Sequence, residues 1–171
     1  MRININNSND KFYRYKMDSV EITNFSSKKP YTMINNIESI CKELGHPSTI
    51  LVKYIANLFS TSCNESKKSL NGIYNMNQIQ DAIYSYINNF VLCIKCNIPE
   101  IIPFIQGTKK NKVLSLKCNA CGHINNINST DKNIIKGIDI ILKYLQKNEW
   151  KVSKGIIVEN KFDPFSNILD F

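Results

Sequence analysis

The sequence predicts an α+β fold: a small sheet with packed helices, then a four-cysteine zinc ribbon, with a flexible N-terminal tail and an extra C-terminal helix. Three observations carry this. Apolar residues recur at helical spacing in four segments. Short apolar runs near 20–34 and 69–74 are broken by turn residues, as in strands and hairpins. Two cysteine pairs, Cys93-Ile94-Lys95-Cys96 and Cys118-Asn119-Ala120-Cys121, are separated by twenty-one residues.

Residues 1–11 are Asn-rich, polar and without period, which predicts a flexible arm. With the aromatic–basic run Phe12-Tyr13-Arg14-Tyr15-Lys16-Met17 they make a tail over 1–17. An α/β body, 18–90, follows. Val20, Ile22 and Phe25 suit a strand, Ser26 to Pro30 a turn, and Tyr31 to Ile34 a returning strand. The first helix spans 35–44. Ile37, Ile40, Cys41 and Leu44 share a face, Asn35 and Glu38 are spaced as a capping box, and Gly45 ends it. Pro47 and Ser48 begin a second helix over 49–60, whose apolar face is Ile50, Leu51, Tyr54, Ile55, Leu58 and Phe59. Residues 61–67 read as a polar loop, and Asn71-Gly72 as a turn beside a short strand. A third helix spans 76–90, with Asn75 and Gln78 as a capping pair and Met76, Ile79, Ile83, Ile87 and Phe90 on its buried face.

The ribbon, 91–128, follows that helix directly, so the metal module is joined rigidly to the body. Its exposed tip is Gly107 to Asn111, with Lys109 and Lys110. Residues 129–171 hold a fourth helix, 131–147, with Ile134, Ile135, Ile138, Ile141, Leu142 and Leu145 on one face. Beyond it, Phe162-Asp163-Pro164-Phe165 and Ile168 to Phe171 are aromatic and acidic. They suit a docking peptide or a tail folded back on its own domain.

The pattern C-x2-C-x21-C-x2-C is a four-cysteine zinc spacing with a loop slightly longer than usual. Zinc takes four soft ligands at the corners of a tetrahedron, and Gly122 suits the sharp turn after the second pair. With four thiolates no position stays open to water, so the expected cofactor is one structural Zn2+. A disulfide framework and a redox C-x-x-C pair are the alternatives. His123 could replace a cysteine but reads more simply as a polar residue on the outgoing strand.

At 171 residues with 43% hydrophobic content, the chain fits one domain plus a small metal module. A net charge of +8 and a pI near 9.2 suggest an anionic partner, nucleic acid first. The polar N-terminus lacks the apolar core of a signal peptide, and no apolar run reaches membrane-spanning length. Cys41 and Cys63, left over from the metal set, fit a reducing compartment, and the expected location is the cytoplasm. Heavy use of Asn, Ile and Lys reflects an A/T-rich genome. The chain lacks the P-loop pattern, its two histidines, His46 and His123, have no triad partners, and its 14 acidic residues show no catalytic pairing. It is not expected to be an enzyme in its own right.

The order of features resembles the N-terminal domain of eukaryotic translation initiation factor 5. A sister family is the C-terminal domain of the initiation factor 2 beta subunit. The most specific match is Asp10-Lys11-Phe12-Tyr13-Arg14-Tyr15-Lys16-Met17, which points to factor 5. The second is Gln78-Ile79-Gln80-Asp81 through Phe90-Val91-Leu92-Cys93. The resemblance covers about residues 1–130. Beyond the ribbon the family continues through an acidic linker into a HEAT-type domain, whereas this chain stops at Phe171.

The resemblance implies a GTPase-activating accessory factor. It would act on initiation factor 2, with GTP and initiator tRNA, on the small ribosomal subunit and mRNA at start-codon recognition. By position the arginine finger is Arg14, and Lys53 aligns with a supporting lysine. A second family lysine falls near Tyr31, with Lys28 and Lys29 just upstream as substitutes. Lys11, Tyr13, Tyr15, Lys16, Lys28, Lys29, Lys109 and Lys110 are the candidate RNA or partner contacts, and the protein is expected to be a monomer. The alternatives are a non-activating binder of the small subunit, initiator tRNA and initiation factor 2, or a general zinc-ribbon nucleic-acid adaptor.

Overall fold

The computed structural model describes residues 1–150, so the aromatic–acidic stretches at 162–165 and 168–171 lie outside the described residues. Among the described residues, nine strands and four helices form three small antiparallel sheets with helices packed against them, an α+β architecture.

The first sheet is a ribbon of β1 (Arg2–Asn4) and β2 (Lys16–Asp18), with Ile3 opposite Met17. The stretch 1–17, expected to be a flexible tail, is therefore pinned at both ends. Ile3 and Ile5 alternate with asparagines, the period of a half-buried strand. Ile5 and Met17 enter the main core, whose burial offsets the entropy of ordering the segment.

The second sheet has the order β3-β4-β6-β5. It is built from β3 (Ile22–Phe25), β4 (Tyr31–Ile34), β5 (Cys63–Asn64) and β6 (Ser69–Asn71). The hairpin at 22–34 forms as expected. The strand β5 falls inside the expected polar loop. A two-residue edge strand needs only one partner, here β6, and leaves almost no apolar signal.

Helix α1 (Ile37–Leu44) buries Ile37, Ile40, Cys41 and Leu44, the face its spacing predicts. The Asn35–Glu38 capping box does not form. Asn36 takes the cap position, and its side chain instead holds the preceding chain: Nδ2 donates to the Ser19 carbonyl and Oδ1 accepts from the Glu21 N–H. Glu38 accepts from Ser48 Oγ at 2.6 Å, which ties α1 to the start of α2 (Ser48–Leu58). Helix α3 (Met76–Tyr86) has the expected capping box, with both the Asn75 and Gln78 bonds made. Met76 is half exposed because it sits in the first turn, before the helix reaches the core.

The expected helix end at 87–90 is a π-helical turn, Ile87–Val91. Ile87, Phe90 and Val91, at i, i+3 and i+4, all point into the core, where each is fully buried. The chain then enters the first cysteine pair without a linker. Strands β7 (Ile101–Gly107), β8 (Lys112–Cys118) and β9 (Ile124–Asn126) form the third sheet, with Pro103 on the edge strand β7, where a missing N–H is tolerated.

Helix α4 (Lys132–Lys147), capped by Asp131, packs on α2 and reaches β7 and β8. A Cβ added at Gly137 would lie 2.6 Å from the buried Phe90 ring and 3.1 Å from Tyr54, so this close approach requires glycine. Ile135, expected on the buried face, is 47% exposed because the contact is centred on Gly137 and Ile141. After α4, the Trp150 indole N–H donates to the Gly45 carbonyl at 3.1 Å. The indole meets His46 edge-on at 4.8 Å.

His46, whose N–H donates to the Cys41 carbonyl at 3.1 Å just past the end of α1, is also a core residue whose Nδ1 lies 2.7 Å from the Tyr86 hydroxyl. Burial pushes its pKa down to about 3. In the unfolded chain it titrates at about 6.5. Between these values the unfolded state binds the extra proton, so stability falls as pH falls, by at most about 1.4 kcal/mol per pH unit. Denaturant titrations are expected to show about 2 kcal/mol lost from His46 between pH 6.5 and pH 5. His46→Gln should show a correspondingly flatter pH dependence over the same window.

Candidate metal centre and arginine loop

Each cysteine pair forms the same local structure. After the first, the Asn97 N–H donates to the Cys93 carbonyl at 2.9 Å; after the second, the Gly122 N–H donates to the Cys118 carbonyl at 2.8 Å. Both residues adopt the left-handed conformation, with φ of 59° at Asn97 and 77° at Gly122. Glycine takes that conformation freely and asparagine more readily than other residues. Asn97 was not singled out in the sequence, although it holds the place in the first pair that Gly122 holds in the second.

The two turns converge. The Sγ atoms of Cys93, Cys96, Cys118 and Cys121 all lie within 4.8 Å of one another. Cys93 and Cys121 are 3.7 Å apart, and Cys96 and Cys118 are 3.6 Å apart. Disulfide sulfurs sit about 2.05 Å apart. Corners of a tetrahedron about 2.3 Å from a central metal sit roughly 3.8 Å apart. The four thiols therefore fit a shared metal ion and are not paired as disulfides. His123 is not in the cluster; its carbonyl accepts from the Cys118 N–H.

The four thiols do not share one electrostatic environment. Burial acts to raise the Cys93 thiol, but the N–H groups of Cys96 and Lys95, together with the neighbouring Cys121 and Cys96 thiols, outweigh it and bring it down to about 7. Burial pushes Cys118 up to about 12. Four clustered thiolates need a cation to compensate them, and a divalent metal supplies that charge.

The second feature is the loop between β1 and β2. Asn4, itself buried, clamps it: Nδ2 donates to the carbonyls of Ser8 and Asp10 at 2.8 and 2.7 Å, and Oδ1 accepts from Lys16 Nζ at 2.6 Å. The Ile5 N–H donates to the Tyr15 carbonyl, and the Tyr15 hydroxyl donates to Glu100 Oε1, both at loop ends. Tyr13 and Tyr15 pack inward, with ring centroids 5.9 Å apart. Phe12 is 96% exposed, and Arg14 is exposed without a hydrogen bond or ion pair among the described residues. Arg14 thus sits on a braced loop, where a free arm was expected.

The other candidates are spread over the surface. Lys53 is exposed on α2 and pairs with Glu65 at 3.2 Å. Lys28 and Lys29 are exposed in the turn between β3 and β4, and Lys109 and Lys110 in the turn between β7 and β8. Lys11 is exposed in the arginine loop, whereas the Lys16 ammonium is engaged by Asn4. Tyr31 stacks on Phe25 at 4.7 Å, and Lys67 lies over the Tyr31 ring at 5.9 Å. A cation therefore stands beside the position where a lysine was expected, delivered by the neighbouring turn. Neither Asn4, Glu100 nor Lys67 was picked out from the sequence, since each acts through a distant partner.

A family model, described as a domain found in initiation factors 2B and 5, matches residues 5–124, which include the arginine loop and all four cysteines. Eukaryotic translation initiation factor 5 of Saccharomyces cerevisiae is 34% identical over 106 residues, 58% of this chain and 26% of that protein. The protein of the same name from Mus musculus is 34% identical over 107 residues, 58% of this chain and 25% of its own. That from Caenorhabditis elegans is 34% identical over 112 residues, 62% and 26%. The chain spans about a quarter of the length of these relatives.

Elemental analysis of the purified protein should find one bound metal ion per chain. Cys118→Ser should lower that content sharply and expose the β7–β8 amides to hydrogen exchange, because metal binding and folding share one free energy in such modules.

Proposed function

The chain belongs to the family of domains found in initiation factors 2B and 5, and we propose that it acts as a translation initiation factor 5-like protein. In this reading it stimulates GTP hydrolysis on initiation factor 2, with initiator tRNA, on the small ribosomal subunit and mRNA when the start codon is recognised. It works in the cytoplasm as a monomer and is an accessory factor, not itself a hydrolase. No helix among the described residues is long and apolar enough to cross a membrane.

The observation that carries the proposal is Arg14: an exposed guanidinium with no hydrogen bond or ion pair among the described residues, between two tyrosines packed inward. GTP hydrolysis spreads negative charge over the transferred phosphoryl group. A guanidinium delivered in trans stabilises that charge, typically worth ~10³–10⁵ in rate. Its planar fork suits phosphate oxygens better than an ammonium does. A braced loop also loses less conformational entropy on docking than a free arm. Lys53 is the supporting cation; its pair with Glu65 is solvent-exposed and worth about 0–1 kcal/mol, so the ammonium can be redirected at little cost. The metal is one structural Zn2+, held by Cys93, Cys96, Cys118 and Cys121, which fixes the ribbon against the body.

Single-turnover GTP hydrolysis in reconstituted initiation complexes tests the finger. Arg14→Ala should remove at least ~10³-fold of the stimulation while leaving the melting temperature unchanged. Wild-type protein that gives no stimulation would overturn the reading.

A second reading, RNA contact without activation, is favoured by the exposed lysines at the two hairpin tips. Lys29 and Pro30 also border an open groove of about 510 Å³, walled by the stacked rings of Phe59 and Tyr74. Stacked aromatics beside cations suit single-stranded RNA. Joint replacement of Lys28 and Lys29 by alanine should weaken binding to small ribosomal subunits and flatten its dependence on salt. A wild-type affinity that does not change with salt argues against this reading.

A further inference from the structure

The loop that carries Arg14 is fixed at three points that differ in kind. Asn4 clamps its backbone from inside β1, and the β1–β2 pairing closes its base. The third point reaches outside the N-terminal hairpin. The Tyr15 hydroxyl, on the residue next to Arg14, donates to Glu100 Oε1 at 2.9 Å, across eighty-five positions of sequence.

Glu100 is itself held by the metal ribbon. It lies just before β7, its N–H donates to the Ile98 carbonyl, and its carbonyl accepts from the Asn119 N–H inside the second cysteine turn, both at 2.9 Å. Its carboxylate is thus carried on backbone that the two cysteine pairs shape. Tyr15 is partly buried, so the bond is shielded from competing water on one side.

We propose that Tyr15 and Glu100 are positioning residues for Arg14: the ribbon holds Glu100, Glu100 holds the Tyr15 hydroxyl, and this sets the direction in which the Arg14 side chain leaves the loop. The inference rests on the arginine-finger reading. It adds that the ribbon's contribution to activity is to orient the finger. The physical reason is that Arg14 has no hydrogen-bonded or ion-paired partner among the described residues, so its aim depends on the backbone beside it. Misplacement of a charge-stabilising group by about 1 Å can cost on the order of 10²-fold in rate.

The test compares Tyr15→Phe, Glu100→Ala, Glu100→Gln and the double variant Tyr15→Phe/Glu100→Ala with wild type and Arg14→Ala. GTP hydrolysis is measured across a range of protein concentrations. Tyr15→Phe and Glu100→Ala should each lower the maximal stimulated rate on the order of ten-fold. The concentration giving half-maximal stimulation should not change. Glu100→Gln, which keeps an acceptor oxygen for the Tyr15 hydroxyl, should recover most of the loss. The double variant should be no worse than either single one, because both remove the same bond.

Amide hydrogen exchange of the isolated full chain gives a readout independent of GTP. Exchange across residues 6–15 should rise in Tyr15→Phe and Glu100→Ala but not in Glu100→Gln. Unchanged rates in both single variants, additive losses in the double, or unchanged exchange would overturn the proposal. If Arg14→Ala matches wild type in the hydrolysis assay, it is the finger reading that fails; the exchange experiment still decides whether the brace exists.

Discussion

Phe90, Val91, Leu92 and Cys93 are buried one after another, and the rest of the structure depends on that unbroken run. Ile87, Phe90 and Val91, at i, i+3 and i+4, face the core together, and the backbone turns extended at Leu92 to bring in Cys93. The π-helical turn Ile87–Val91 continues α3 up to that point. The cysteine site is then not an appendage. Its buried members, Cys93 and Cys118, belong to the same apolar cluster as α1, α2 and α3. Gly137 closes the arrangement from the other side, letting α4 lie directly on the Phe90 ring and reach β7 and β8. Body, ribbon and final helix therefore share one core, and distortion of any of them is felt by the others.

The N-terminal hairpin is the surface expression of that core. Ile5 and Met17 anchor it in the body, Tyr15 attaches it to the ribbon through Glu100, and Arg2 pairs with Asp18 and Glu43 at its base. The exposed Phe12 and Arg14 stand between residues that are held. A guanidinium in this position combines two properties that oppose each other in most side chains: it is free of internal hydrogen bonds and ion pairs among the described residues, and its backbone is fixed. Preorganisation of this kind lowers the entropy a side chain loses on binding.

Much of this was legible in the residues themselves. The apolar spacing of Ile37, Ile40, Cys41 and Leu44 gives α1 its buried face, and the reciprocal Asn75–Gln78 pair gives α3 its start. The spacing of the four cysteines points to a shared metal-donor set, and their Sγ atoms do lie within 4.8 Å of one another. Such signals are local: each depends on residues within a few positions of one another, whose chemistry is fixed by type. The strand β1 is a partial exception. Ile3 and Ile5 carry the right period, but three residues among asparagines read as polar chain until Met17 is seen to pair with them.

By itself the sequence determined the α+β class, the helices, the cysteine set and the place of Arg14 between two tyrosines in an aromatic–basic run. Only the tertiary structure decided how these parts bear on one another. Asn36 serves the 19–21 segment and forgoes capping with its side chain, His46 lies in the core against Tyr86, and Gly137 is needed for contact with Phe90. The arm around Arg14 is braced by a glutamate eighty-five residues beyond Tyr15. The physical reason is common to all of them. Hydrogen bonds and close contacts between distant residues depend on where the folded backbone brings their atoms, and neither composition nor period records that distance.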